Sequence, residues 1–305
     1  MSQKACKTDD RGTMKDGYPP SDMNQALEIK HQGLRCSLAP ALGGAVAGLW
    51  LDGVPVLRST EARDLANVHL SGSFPLLPFS NRIGRGRMHW AGQDYTLALN
   101  VEPHPHAIHG VAWQRPWSVL QADDSSAVLG YTHSPDENWP FAFEARQAFR
   151  LDDEGLHLDI SLRNLAPQAV PAGLGWHPYF PKRAGCHIAF SATGRWEPGP
   201  DKLPTHCSNS VGLETTCAEL VIDHCFEGWS GEATLVDENL RTHLRANLEH
   251  LVVYTHPGLA AVAIEPVSHV NNAIQQPDPL ALGLRVLQPG QTMGAQIHIH
   301  AEHNP

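Results

Sequence analysis

FAFEARQAFRLDDEGLHLDISL, running from Phe141 to Leu162, is the stretch from which the fold is read. From Phe141 to Arg146 apolar and polar residues alternate, the period of a strand with one face packed and one face wet. Leu156-His157-Leu158-Asp159-Ile160-Ser161-Leu162 repeats the alternation, and Glu154-Gly155 supplies the turn between. Two alternating runs joined this tightly form an antiparallel hairpin, because parallel strands need a much longer crossover.

The same rhythm extends in both directions. Leu27 to Lys30 and Leu34 to Leu38 alternate across Gln32-Gly33, and Ala45 to Leu51 is turned back by Asp52-Gly53. Further strands are expected at Trp117–Gln121, Ala127–Thr132, Ala169–Trp176, His187–Ser191, Ala233–Val236, Thr242–Leu248, Leu251–Thr255, Ala260–Ile264 and Gln296–His300. Glu61 to Leu70 is the one modestly helical window, and it is short. Thr193 to Glu219, rich in Gly, Pro, Ser and Thr, reads as a long surface excursion of the kind that borders a site. With no strand–helix alternation and no blade-length repeat, the expected fold class is all-β, a large antiparallel β-sandwich.

Composition narrows the function. A net charge of -10 disfavours nucleic acid, which needs clustered Lys and Arg. Six cysteines are scattered without a Cys-x-x-Cys pair, so reduced and mostly buried thiols are expected rather than a disulfide framework or a zinc ribbon. No run approaches the ~20 apolar residues of a membrane span. Residues 1–24 are polar and aperiodic, without the apolar core of a secretion signal, and are expected to be a flexible leader. Residues 25–305 are expected to form one domain, and the protein to be cytoplasmic.

The polar residues that a plain sandwich does not require collect in a few places. FPLLPFSNRIGRGRMHWAGQDYTLALNVEPHPHAIHGVAW, from Phe74 to Trp113, turns abruptly from apolar to polar at Ser80-Asn81-Arg82 and ends near His109-Gly110. Asn81-Arg82-Ile83, Gly86, Gly92 with Tyr95, Asn100 and His109-Gly110 together closely resemble the aldose 1-epimerase (galactose mutarotase) family. The resemblance spans about Leu27 to His300 and implies that family's galactose mutarotase-like sandwich, with the sugar in an open cleft across one sheet.

Residue by residue, the resemblance implies roles. His177, in Trp176-His177-Pro178-Tyr179-Phe180, matches the family's general acid; alone it reads rather as a structural histidine bonded to backbone. Glu265, ending the small apolar run Ala260 to Ile264, matches the catalytic base. Alone it reads as a strand-end glutamate, although desolvation there would raise its pKa into a useful range. Asp223, Arg82, His109 and Asn81 match sugar-binding positions, Arg82 offering a planar fork of donors. Trp113 and Phe226 are candidates for stacking on the pyranose ring.

His104 with His106, and His298 with His300, resemble metal pairs but lack third and fourth ligands, so no metal is expected. Arg85 and Arg87 lie close to Arg82 in the chain, and an arginine cluster suits phosphate. The implied function is therefore a cofactor-free aldose 1-epimerase acting on a free galactose- or glucose-type sugar, with a protonated histidine as acid. A hexose-6-phosphate mutarotase and a non-catalytic carbohydrate-binding protein are the alternatives. The expected partner is a small sugar, with neither nucleic acid nor membrane, and the expected assembly is a monomer or weak homodimer.

Overall fold

The computed structural model describes residues 26–304. The expected leader, residues 1–24, and Cys6 lie outside the described residues. Phe143–Asp152 and Gly155–Asn164 form the predicted hairpin, with Phe143 opposite Asn164 and Asp152 opposite Gly155. Buried and wetter positions alternate along both strands. Gly155 is required at the turn, since its φ is 125° and a Cβ there would lie 2.1 Å from the Ile299 carbonyl oxygen.

This hairpin is the middle of a nine-stranded sheet. Thr292–His303 pairs with Gly155–Asn164 and leads on to Leu240–Ala246, Glu232–Val236, His187–Phe190 and Leu213–Thr216; Ser126–His133 and Ser118–Ala122 complete the other side. An eight-stranded sheet packs against it, and at its heart is Ala261–Val267, buried at every position. That strand pairs with His250–Thr255 on one side and with Gly175–Trp176 and Tyr179–Pro181 on the other. Buried along its whole length, it is apolar at every position but Glu265, whereas the hairpin alternates. Phe149, Leu158 and Ile160 of the first sheet share one core with Trp176, Val253 and Ile264 of the second, which makes the two layers a sandwich.

Smaller pieces complete the molecule. Asp52-Gly53 is a two-residue hairpin turn with both φ angles positive, 48° and 81°, the geometry Asp-Gly prefers. Arg82–Gly84 pairs with His106–Ile108, and Arg87–Trp90 with Gln93–Thr96 across Ala91-Gly92. Among the described residues no helix is long and apolar enough to cross a membrane. Cys36, Cys186, Cys217 and Cys225 are buried free thiols, and Cys207 is an exposed one.

Two expectations need correction. Glu61 to Leu70 holds two single 3-10 turns, Ala62–Asp64 and Val68–Leu70, rather than a longer helix, because neither offers a buried side. Thr193 to Glu219 is not a loop; it contains the strands Gly194–Pro198, Pro204–Asn209 and Leu213–Thr216. Pro204–Asn209 and Leu213–Thr216 run at the edges of the two sheets and stay largely exposed, and Gly194–Pro198, one strand in, has a single buried position, so none shows the apolar periodicity that reveals a strand.

Candidate active site

The eight-stranded sheet carries a cleft of about 540 Å³. At its floor, the main chain leaves Gly175–Trp176 at His177 and re-enters the sheet at Tyr179–Pro181, with the His177 N–H held by the Phe74 carbonyl at 3.0 Å. Glu265 stands on the fully buried strand, opposite Val252. These two neighbours of one strand face each other, His177 Nε2 lying 3.2 Å from Glu265 Oε1. They are 4% and 2% exposed, which rules out a solvent-facing glutamate.

Burial acts oppositely on the two groups. It lowers the His177 pKa to about 3, and it holds the Glu265 carboxyl well above the usual carboxylate range. The Asp223 carboxylate adds to the Glu265 shift and Arg82 opposes it. Both perturbations disfavour charge on the pair. Desolvation thus works against the protonated imidazole expected of the acid.

Around the pair the other sequence candidates converge. Arg82, on Arg82–Gly84, directs Nη2 to Asp223 Oδ2 at 3.2 Å and Nη1 to Asn81 Oδ1 at 3.0 Å. The ion pair joins two separate strands and is mostly withdrawn from water, at 14% and 19% side-chain exposure. Asn81 and His109 are tied to each other twice, through His109 N–H to the Asn81 carbonyl at 2.8 Å and Asn81 N–H to His109 Nδ1 at 3.1 Å. Since Nδ1 accepts, neutral His109 carries its proton on Nε2. Burial first, and then the nearby His177 and Arg82, keep that imidazole neutral by lowering its pKa. Asn81, His109 and Gly110 all have positive φ (54°, 61° and 69°), so this segment is folded tightly to present the imidazole.

A buried carboxyl and imidazole with opposite pKa perturbations, flanked by an arginine, an aspartate and a second histidine, can exchange a proton. Arg82 Nε, His177 Nδ1 and Glu265 Oε2 are also buried polar atoms without a protein partner among the described residues, a cost that packing alone does not explain. A sequence model of the family described as aldose 1-epimerase matches residues 25–300.

The chain belongs to the aldose 1-epimerase family.

Among its relatives, the uncharacterized protein YphB of Escherichia coli K12 is 30% identical over 213 residues, 68% of this chain and 71% of that one. The uncharacterized protein YihR of the same strain is 26% identical, covering 76% of this chain and 80% of its own. A putative aldose 1-epimerase from E. coli K12 superposes with a TM-score of 0.83 at 24% identity, over 92% of this chain and 99% of that structure. A galactose mutarotase-like protein from Clostridium acetobutylicum gives 0.80 at 20%, covering 92% and 95%. At these identities the two structures establish a shared fold, the galactose mutarotase-like β-sandwich.

Within this aldose 1-epimerase fold, several sequence readings change. Phe226 does not line the cleft; it is buried edge-on against Phe190, with centroids 4.9 Å apart. Trp113 borders the cleft but has no open face, being 1% exposed and stacked on Phe74 at 5.3 Å. His104 and His106 do not act as a pair. His104 lines the cleft, whereas His106 is buried with both ring nitrogens engaged by backbone. His298 and His300 both donate to the Glu154 carbonyl at 2.8 Å. Arg85 and Arg87 are exposed and do not line the cleft.

Sequence reasoning missed Tyr179 and Arg58. Tyr179 stacks on His177 with centroids 4.5 Å apart, and the Arg58 guanidinium lies 3.8 Å above the Tyr179 ring. The aromatic residue two places after His177 was the available signal for Tyr179. Arg58 offered none, since its partner is 121 positions away. Lys202, on the hairpin between Gly194–Pro198 and Pro204–Asn209, was missed with the strands that carry it.

Proposed function

We propose that the protein interconverts the α and β anomers of an aldose, with Glu265 as base and His177 as acid. The observation that carries this reading is the 3.2 Å approach of His177 Nε2 to Glu265 Oε1, with opposite pKa perturbations, on the cleft floor. Ring opening takes a proton from the C1 hydroxyl and gives one to the ring oxygen as the C1–ring oxygen bond breaks and C1=O forms. Both oxygens are on one carbon, so an acid and a base standing side by side can serve them together. The sugar's hydrogen bonds favour the charged arrangement of the pair, drawing the proton to His177 Nε2 and leaving a carboxylate on Glu265. Rotation about C1–C2 then presents the other carbonyl face, and closure returns both protons.

Arg82, Asp223 and His109 hold the hydroxyl groups so that C1 lies at the pair. Asn81 contributes by fixing Arg82 and His109, the two side chains it contacts. No cofactor is required by these steps. A purely binding role would not call for a carboxyl and an imidazole buried against each other at a cost in desolvation.

The test is polarimetry of freshly dissolved α-D-galactose and α-D-glucose with wild type and Glu265→Gln at equal concentration. Wild type is expected to hasten mutarotation of at least one sugar, and the variant to lose at least 100-fold. A wild type indistinguishable from buffer on both would rule out turnover of these two free aldoses.

A further inference from the structure

Among the described residues, the cleft has one lysine or arginine without an ion-pair partner. Arg82 and Lys202 are its two permanently positive side chains; Arg82 is spent on Asp223 at 3.2 Å, while Lys202 forms no ion pair among the described residues. Of the two cleft carboxyls, Asp223 is the partner of Arg82 and Glu265 faces His177 at 3.2 Å. Neither cleft carboxyl is therefore left to pair with Lys202, in a chain whose net charge is -10. The nearest sequence carboxylate, Asp201, turns Oδ1 back to the Leu203 N–H at 3.2 Å.

The backbone that carries Lys202 is also held in place. Lys202 occupies the tip of the hairpin at φ 66°, a conformation that a lysine adopts only under constraint. The tip is closed by Gly199 N–H to the Leu203 carbonyl at 2.8 Å and by Lys202 N–H to the Gly199 carbonyl at 3.0 Å. His106 pins it from below: Nδ1 accepts from Arg85 N–H at 3.0 Å, so Nε2 carries the proton and donates to the Asp201 carbonyl at 2.8 Å. Leu203 packs so closely on Gly84 that a Cβ there would meet its Cδ1 at 2.8 Å.

We infer that the cleft selects pyranoses carrying an anionic substituent, a carboxylate or a phosphoryl group, which Lys202 receives at the rim while His106 positions the hairpin that presents it. This rests on the mutarotase reading and names the substrate class of the same site. A single ammonium at the mouth of a cleft suits a substituent at the far end of the sugar from C1, where a charge does not disturb the acid–base pair. It would also draw anionic sugars in against the overall negative field of the protein, an attraction that salt weakens.

The experiment compares kcat/KM for mutarotation of glucose, galactose, glucuronate, galacturonate and glucose 6-phosphate. The wild type should favour at least one anionic sugar over its neutral parent by 10-fold or more, and the uronate and phosphate arms identify which anion. Lys202→Glu should lower the anionic-to-neutral ratio at least 10-fold. His106→Ala should raise KM for the anionic sugar with little change in kcat, and His106→Gln, whose amide can both accept and donate, should restore it. Neutral sugars turned over as well as anionic ones, with a ratio indifferent to Lys202→Glu, would overturn the inference and leave the mutarotase reading standing. Were no sugar hastened by wild type, the mutarotase reading would fail. The inference would then be decided by calorimetry with glucuronate and glucose 6-phosphate: binding lost in Lys202→Glu supports it, and no binding to wild type overturns it.

Discussion

His177 Nε2 and Glu265 Oε1 lie 3.2 Å apart with their charges suppressed by the same burial. The sign of the pH dependence follows. His177 gains a proton only as pH falls toward its depressed value of about 3, and Glu265 keeps its proton to pH values well above 4.5. kcat/KM is therefore expected to form a broad plateau and to keep more than half its neutral value at pH 5. A profile that falls through the ordinary histidine value of 6.5 would show His177 titrating as an exposed imidazole.

Burying Glu265 has a stability consequence of definite sign. Its folded pKa exceeds the ordinary 4.5, so above that value the unfolded chain releases a proton that the folded one retains. Stability contributed by the protonated form is lost as pH rises. Glu265→Gln keeps the shape without the proton, so its melting temperature should gain on wild type as pH rises above 4.5. A gain of about 1 kcal/mol corresponds to ~2–3 °C in a chain of this size. Parallel melting curves across that range would mean that Glu265 is not perturbed.

Arg82 and Asp223 work as a unit, so their single variants should not add. Arg82→Lys keeps the charge but loses the fork that reaches both Asp223 and Asn81. Each of Arg82→Lys and Asp223→Asn is expected to cost ~5–100-fold in kcat/KM, the equivalent of about 1–3 kcal/mol for a charged hydrogen bond. The double variant should fall well short of the product. Independent, multiplying effects would separate the two residues functionally.

Gly110 is irreplaceable for a local reason. Its φ is 69° and an added Cβ would lie 2.0 Å from the Leu77 carbonyl oxygen. Gly110→Ala should lower stability by about 1–3 kcal/mol and, by moving His109, raise KM more than it lowers kcat. Urea titration and steady-state kinetics on the same preparation would show the two effects together or separate them.

The scaffold was legible where one-dimensional pattern and physics coincide. Phe143 to Leu162 alternates because each strand has one packed face, and Asp52-Gly53 marks its own turn. Glu265 could be placed at a costly position because the apolar run before it signals a strand buried on both faces. What was not legible depends on distance or exposure. Arg58 meets Tyr179 only through the fold. The strands flanking Lys202 have too little buried surface to impose a period. His177 was identifiable, but its charge was not, since desolvation is a property of the assembled core.

The strand Ala261–Val267 carries a further consequence. Buried at every position and paired on both edges, it belongs to the part of the molecule that opens only when the whole molecule unfolds. Glu265 is therefore as durable as the native state itself. Lys202 sits on an outer hairpin of the same sheet, where local opening needs far less. On warming, discrimination among sugars should fade before the chemistry does, leaving a catalyst that is still quick but no longer choosy.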